Sequence, residues 1–121
     1  MISVEEQVEI TDANGDFVDC PAVLFDTGNS VATGISGKLV GRLNLEESID
    51  HTDTRHYFGV GRDEDGNQID RECSTIWITI KIRGEKFPVK ALYDIPAENT
   101  DLLIGMDIIN LLFDKNFTLG K

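Results

Sequence analysis

The sequence predicts one small, mostly antiparallel β domain. Many short segments alternate apolar and polar residues, the period of a half-buried β-strand, and turn-forming residues separate these segments. Only two short stretches have the spacing or composition of a helix. A chain of 121 residues can hold one domain with a hydrophobic core and is too short for two. We therefore predict that residues 1–121 form a single, mostly β domain.

The first quarter of the chain is predicted to contain three strands. Alternating apolar residues indicate a strand over residues 2–10, although Glu6 lies on its apolar side. Residues 12–16 predict a hairpin turn; the Asp-x-Asn pattern resembles a calcium loop, but glycine comes too early and no glutamate closes it. Residues 17–25 are predicted to form the second and third strands, with a break near Pro21.

The middle of the chain predicts a short helix followed by a hairpin. Ser36 is a candidate N-cap for one or two helical turns that extend to Leu43. Residues 46–53 are predicted to be a polar connector, and residues 55–60 a strand. The acidic residues 63–67 are predicted to form an exposed hairpin tip, which also departs from the calcium-loop pattern because its glycine comes early.

The last part of the chain contains the clearest strand. Residues 75–82 place four isoleucines on one face, with tryptophan, threonine and lysine on the other. Residues 83–86 are predicted to turn the chain into a partner strand over residues 87–93. Three shorter elements are then predicted, an apolar strand, a helix and a final strand, at residues 102–104, 106–112 and 116–119.

Composition argues against several kinds of partner. The 22 Asp and Glu residues against 11 Lys and Arg give a formal net charge of -11, whereas nucleic acid and anionic membranes favour a basic surface. No apolar run approaches the roughly 20 residues that cross a membrane, and the N-terminus lacks the basic and apolar regions of a signal peptide. We expect a soluble, cytoplasmic protein that binds neither nucleic acid nor membranes.

The sequence favours no metal or other cofactor. Cys20 and Cys73 have no metal-binding spacing, so we expect reduced thiols; a disulfide would require two strands to bring them together. A metal-binding domain that uses His51 and His56 is an alternative, but their spacing matches no known motif. Serine or cysteine hydrolase chemistry has no supporting signature.

Two stretches carry the functional signal. In residues 23–30 an apolar run ends at Asp26, and Thr27-Gly28 then turns the chain, which leaves this carboxyl group at the end of a strand. Residues 101–107 repeat the plan of three apolar residues followed by glycine. Taken alone, Asp26 is also consistent with a simple turn-forming aspartate after a buried strand.

Together the two stretches resemble the active-site strand and the later hydrophobic-hydrophobic-glycine loop of retroviral-type aspartic proteases (retropepsins) and their single-domain cellular and bacterial relatives. The match is specific in the two motifs and approximate elsewhere, although the order of the predicted elements agrees along nearly the whole chain. The resemblance implies a small antiparallel closed barrel of the retropepsin type and the activity of an aspartic endopeptidase.

The resemblance also implies a symmetric homodimer. Peptide hydrolysis by carboxylates needs two of them to share a proton, and the chain has one Asp-Thr-Gly, so Asp26 of each subunit would meet on the symmetry axis. Thr27 would fix the two loops across the axis, and Gly28 would let the backbone approach the carboxylates. The terminal strands, residues 2–10 and 116–120, would interleave between the subunits.

A peptide or protein substrate is implied, covered by a mobile hairpin called the flap. The flap would span about residues 55–74 and close on the peptide through strand-like hydrogen bonds. The implied substrate-binding residues lie in the loop after Gly28 and in the flap: Asn29, Ser30, Phe58, Gly59, Val60 and Gly61.

Two departures from the family pattern bear on this interpretation. Asn29 stands where the family usually has a smaller residue. Ser30 and Met106 stand where retroviral members commonly carry an aspartate and an arginine that pair; both charges are missing together, which favours a cellular or bacterial-type relative. The alternative is a weakly active or inactive module of the same fold that dimerises or binds peptides, and Asn29 and the long flap are the hints for it.

Overall fold

The computed structural model describes residues 7–25, 32–62, 64–95 and 99–114. The elements are β1 (Val8–Thr11), β2 (Phe17–Asp19), β3 (Val23–Phe25), β4 (Gly34–Ile35), α1 (Gly37–Arg42), a 3-10 turn (Glu46–Ser48), β5 (Ile49–Arg62), β6 (Gln68–Ile82), β7 (Glu85–Tyr93), β8 (Leu102–Ile104) and α2 (Met106–Asp114). The predicted mostly β fold with two short helices is confirmed. The first strand, predicted over residues 2–10, is seen as β1 from Val8, and its residues 2–6 lie outside the described residues, as does the strand predicted over residues 116–119.

The described strands form one sheet that curls into a half-barrel. The long strand β6 pairs antiparallel with β1, β5 and β7. From β7 the sheet continues through β4 and β8 to β3, and β2 lies at the other end beside β1. Two pairs are parallel, β3 with β8 and β4 with β7. The first of these parallel pairs positions the candidate site.

The alternation along β6 decides which face meets the core. The four isoleucines are buried as predicted, at positions Ile76, Ile78, Ile80 and Ile82. Trp77 lies on the opposite face and is 61% exposed. Burial of one isoleucine side chain contributes roughly 1.5–3 kcal/mol, so a register slip that exposed all four would cost more than a small domain can spare.

Both helices pack an apolar face on this core. α1 begins after Ser36, whose Oγ accepts a hydrogen bond from the backbone N–H of Leu39 at 3.1 Å, which confirms the predicted cap. Leu39 and Val40 are its buried residues. α2 buries three apolar side chains against the same cluster: Ile108, Ile109 and Leu112.

Two predicted turns are confirmed. In the turn of residues 12–16, Asp12 Oδ1 accepts hydrogen bonds from the backbone N–H groups of Asn14 at 2.9 Å and Asp16 at 3.1 Å. The carboxylate is thus engaged by its own turn. The β6–β7 connection is shorter than predicted, because Arg83 and Gly84 both adopt positive φ and the strands run up to this tight turn.

The predicted polar connector at residues 46–53 is wrong in its second half, because β5 already begins at Ile49. The pairing of β5 with β6 shifts register between Asp50 and Thr54, so a bulge interrupts the two-residue period. A bulge so close to the start of the strand disrupts the alternation of apolar and polar residues on which the prediction relied. Polar residues are tolerated there because β5 pairs with β6 alone among the described strands.

Candidate active site

The two motifs of the sequence meet in the sheet. β3 and β8 run parallel, with Val23 opposite Leu102 and Phe25 opposite Ile104. Because the two strands are parallel, their carboxyl ends lie side by side, and the chain leaves both strands at the same edge of the sheet, the one formed by strand ends. Asp26 is the next residue in sequence after β3, and Gly105 the next after β8. The predicted catalytic residues Asp26, Thr27 and Gly28 and the predicted substrate-binding Asn29 and Ser30 lie outside the described residues.

Buried side chains fix this edge. Phe25, Leu102 and Ile104 are fully buried in the main core, and Leu103 packs in a second cluster with Leu92 and Ile95 on the other side of the sheet. A parallel pair buried on both faces is expected to be continuously apolar, as β8 is. The two strand ends are therefore held rigidly beside each other.

A partly buried hydrogen-bond cluster joins the chain after the Asp-Thr-Gly motif to the start of α2. Thr33 Oγ1 donates to Asp107 Oδ1 at 2.7 Å, and the backbone N–H of Thr33 donates to Asp107 Oδ2 at 3.0 Å. Thr33 Oγ1 also accepts from the backbone N–H of Gly105 at 3.2 Å. Asp107 stands in the first turn of α2, where a carboxylate is favoured by the helix dipole. The cluster anchors the segment that follows residues 26–31.

Sequence reasoning missed this pairing. The second motif includes Asp107, but no local pattern gives this residue a role or distinguishes Thr33 from its neighbours. The sequence shows a polar Thr33 directly before Gly34, and the structure explains the glycine: a Cβ added to Gly34 would lie 2.7 Å from Ile95 Cδ1, so the backbone is closely packed there. Nothing local in the sequence connects Thr33 with an aspartate 74 positions away.

A second link holds the start of β8 against α1. The backbone N–H of Ser36 donates to the carbonyl oxygen of Asp101 at 2.8 Å, and Ser36 Oγ donates to Asp101 Oδ1 at 3.2 Å. Arg42 Nη2 donates to Asp101 Oδ2 at 3.1 Å. Because the Arg42 side chain is half exposed, the ion pair adds little stability, and its main effect is to orient the Asp101 carboxylate.

Cys20 and Cys73 are both buried and form no disulfide with each other. Burial raises the pKa of the Cys20 thiol to about 11, and the Asp101 carboxylate acts in the same direction. A thiol with so high a pKa is a poor nucleophile at neutral pH. Cys20 therefore has no part in the candidate chemistry.

The predicted flap is a long two-stranded hairpin made by β5 and β6. Phe58 pairs with Asp70 and Arg62 pairs with Gln68, so the backbone of Gly59, Val60 and Gly61 forms a bulge opposite a single residue. Glycines suit such a bulge because they accept backbone angles that other residues avoid. The structure thus places the predicted flap residues at an irregular point of the hairpin.

A charged cluster fixes the other bulge, at the base of the hairpin. Asp50 Oδ1 accepts hydrogen bonds from the hydroxyl and the backbone N–H of Thr52 and from the backbone N–H of Asp53. Lys90 of β7 forms ion pairs with Asp53 and, at 3.6 Å, with Asp50. Thr75 Oγ1 donates to the carbonyl oxygen of Asp53 at 2.9 Å. The hairpin is therefore tied to β7 at its base.

Hydrogen bonds and charges in this cluster shift three pKa values. The Thr52 hydroxyl lowers the pKa of Asp50 from its ordinary 3.8, and the hydrogen bond from Lys90 lowers the pKa of Asp53 from the same value. The hydrogen bond to Asp53 raises the pKa of Lys90 above its ordinary 10.5. All three side chains are partly exposed to solvent, so salt and water weaken the cluster.

The alternative of a metal-binding domain gains no support within the described part of the chain. His51 Nδ1 lies 3.3 Å from Ser74 Oγ, in a polar contact at the hairpin base. Across residues 7–25, 32–62, 64–95 and 99–114, no three His, Cys, Asp or Glu side chains are grouped so as to bind a metal. In the same residues no helix is both long and apolar enough to cross a membrane.

Of three comparisons with known proteins, the one with solved structures gives matches. No protein-family model matches the chain, and no curated protein matches it. Among solved structures, the chain is similar to EIAV protease in complex with an inhibitor, at 24% sequence identity and a TM-score of 0.48. The match covers 98% of this chain and 97% of that protease.

Proposed function

We propose that the chain is one half of an aspartic endopeptidase that acts as a symmetric homodimer on peptide or protein substrates. The observation that carries the proposal is the parallel pairing of β3 with β8, which brings the ends of the two motifs to one edge of the sheet. Asp26 follows one strand and Gly105 the other. A turn-forming aspartate would not need the second motif beside it.

The proposed chemistry needs the Asp26 carboxyl groups of two subunits. The ionised one takes a proton from a bound water, while the protonated one donates to the carbonyl oxygen as the water attacks the peptide carbon. Two carboxylates about 3 Å apart cannot easily both be charged, as in aspartic proteases generally, so the pair shares one proton near neutral or mildly acidic pH.

The described cluster around Thr33 supports the role proposed for the loop of residues 26–31. In sequence, residues 26–31 follow β3, which ends at the buried Phe25, and precede Ala32 and Thr33, and Thr33 is tied to Asp107 and Gly105. Catalysis by positioned groups needs them held within a fraction of an ångström of the productive geometry. Anchors at both ends of a six-residue segment are what such positioning requires.

We propose that the β5–β6 hairpin is the flap. Its base is tied to β7 through Lys90, while the bulge at Gly59, Val60 and Gly61 gives the distant part of the hairpin freedom to bend. Closure over an extended peptide would bring strand-like hydrogen bonds to the substrate backbone and exclude water. Side-chain pockets beneath it would then set specificity.

Replacement of Asp26 by asparagine tests the proposal. Asp26→Asn removes the acid and base of the pair with little change in size, so peptide cleavage should fall by at least about 10²- to 10⁴-fold. Asp16→Asn, an equal charge change in the exposed β1–β2 turn, is the matched control and should cleave as the wild type does. Circular dichroism and sedimentation should show that all three proteins keep the fold and the dimer.

Cleavage by Asp26→Asn at the wild-type rate, or activity of a demonstrated monomer, would contradict the proposal. A wild-type protein that dimerises and binds peptides without cleaving them at any pH would instead support the alternative of a non-catalytic module of the same fold.

A further inference from the structure

An open cavity of about 530 Å³ lies beside the exposed Trp77. Its walls come from the β1–β2 turn, from the segment between α1 and β5, and from the neighbouring strands β6 and β7. None of its lining residues belongs to the two motifs or to the glycine bulge of the hairpin. We refer to it as the Trp77 cavity.

The cavity exists because β6 changes its partner at this point. On one edge of β6, β5 pairs with residues from Gln68 up to Ile76, and β1 pairs with residues from Ile80 to Ile82. Trp77, Ile78 and Thr79 have no strand partner on that edge within the part of the chain that the structure describes. Strand edges of this kind accept extended segments of other polypeptides.

The lining combines an aromatic ring with carboxylates. Trp77 is 61% exposed, and the cavity also presents Asp12 and the exposed Glu47. Lys, Arg and His are absent from the residues that line it. Lys90 pairs with Trp77 across the β6–β7 ladder, but its ammonium group is engaged by Asp53 and Asp50. Carboxylates beside an indole, with no basic side chain among the lining residues, favour a cation.

We propose that the Trp77 cavity binds a lysine or arginine side chain of an extended basic segment in a partner protein. The cationic group would lie over the indole of Trp77 and pair with Glu47 and Asp12. The net charge of -11 attracts basic partners over a longer range and repels a second copy of the chain, which favours a basic partner over self-association at this cavity. The proposal does not depend on protease activity.

Trp77 is the only tryptophan in the chain, so its fluorescence reports on this cavity alone. A hexalysine peptide, titrated at about 150 mM salt to screen distant charges, should cause a saturable change in emission. A hexaglutamate peptide of the same length should cause none. Absence of any saturable change with hexalysine at millimolar concentration would overturn the proposal.

Matched variants separate local recognition from the overall charge. By calorimetry, Glu47→Gln and Trp77→Ala should each weaken hexalysine binding by about two- to fivefold, the size expected for one exposed ion pair or cation–π contact. Glu46→Gln changes the net charge equally at a neighbouring exposed residue that does not line the cavity, and it should bind as the wild type does.

Three results would overturn the proposal. Equal weakening by Glu46→Gln and Glu47→Gln would show binding to the net charge only. Unchanged affinity in a folded Trp77→Ala protein would show that the indole is not involved. If sedimentation shows that Trp77→Ala is dissociated where the wild type is oligomeric, this face is covered by a second copy of the chain.

Discussion

Thr33 is a fully buried polar residue in a segment that is otherwise apolar, and its hydroxyl is used twice, as a donor to Asp107 and as an acceptor from Gly105. A buried hydroxyl without partners is costly, whereas a fully satisfied one fixes geometry. At the scale of single residues, the candidate site therefore depends on supporting groups as much as on Asp26. The sequence pointed to Asp26 through its neighbours but gave no local sign of its support.

Removal of the Asp107 carboxylate tests that support. Asp107→Ala leaves the hydroxyl and the backbone N–H of Thr33 without their acceptor, and an unmet buried group costs about 1–3 kcal/mol, so the free energy of unfolding should fall by about 2–4 kcal/mol. Urea unfolding measures the change. Thr33→Val should destabilise the Asp107→Ala protein less than it destabilises the wild type, because the hydrogen bonds that the two residues share are already lost. Strict additivity of the two changes would show that the residues act independently.

At the scale of secondary-structure elements, period and composition predicted most strands and both helices. β6 and β7 were predictable because the two-residue period continues over many residues, and α1 because Ser36 provides a cap. The start of β5 was missed because a bulge near Asp50 interrupts the period. The parallel pairing of β3 with β8 connects segments far apart in sequence, so no local pattern predicted it.

The charged cluster at the hairpin base gives a prediction for pH. Asp50 and Asp53 have lowered pKa values, so their contribution to stability is present above about pH 4 and is lost as pH falls through the folded-state values. Lys90 has a raised pKa, so its contribution is present below its unfolded pKa and is lost as pH rises through the folded one. The cluster therefore stabilises the hairpin base between these limits.

Lys90→Met should accordingly lower the urea midpoint at pH 7, and the deficit should be smaller at pH 2, because protonation of the aspartates weakens the same ion pairs in the wild type. Lys38→Met makes the same charge change at an exposed position of α1 and serves as the control, with little effect on the urea midpoint at either pH. An equal deficit of Lys90→Met at both pH values would indicate lost packing of the lysine stem instead of lost ion pairs.

At the scale of the whole molecule, length and composition predicted one small, mostly β domain, and the described strands form a single curled sheet. The homodimer is a proposal that follows from chemistry, since one chain with one Asp-Thr-Gly supplies half of a carboxyl pair. The acidic net charge doubles in a dimer, and that repulsion makes assembly sensitive to salt and pH. Assembly and activity should therefore change together.

Subunit mixing tests the central claim most directly. Wild-type protein and Asp26→Asn are combined at equal concentration, allowed to exchange subunits, and assayed for peptide cleavage at constant total protein. If each active unit needs Asp26 from both chains, random pairing leaves about a quarter of the dimers intact, so cleavage should fall to about a quarter of that of wild type alone. Cleavage at about half, in proportion to the wild-type chains present, would show that one chain suffices and would contradict the shared pair.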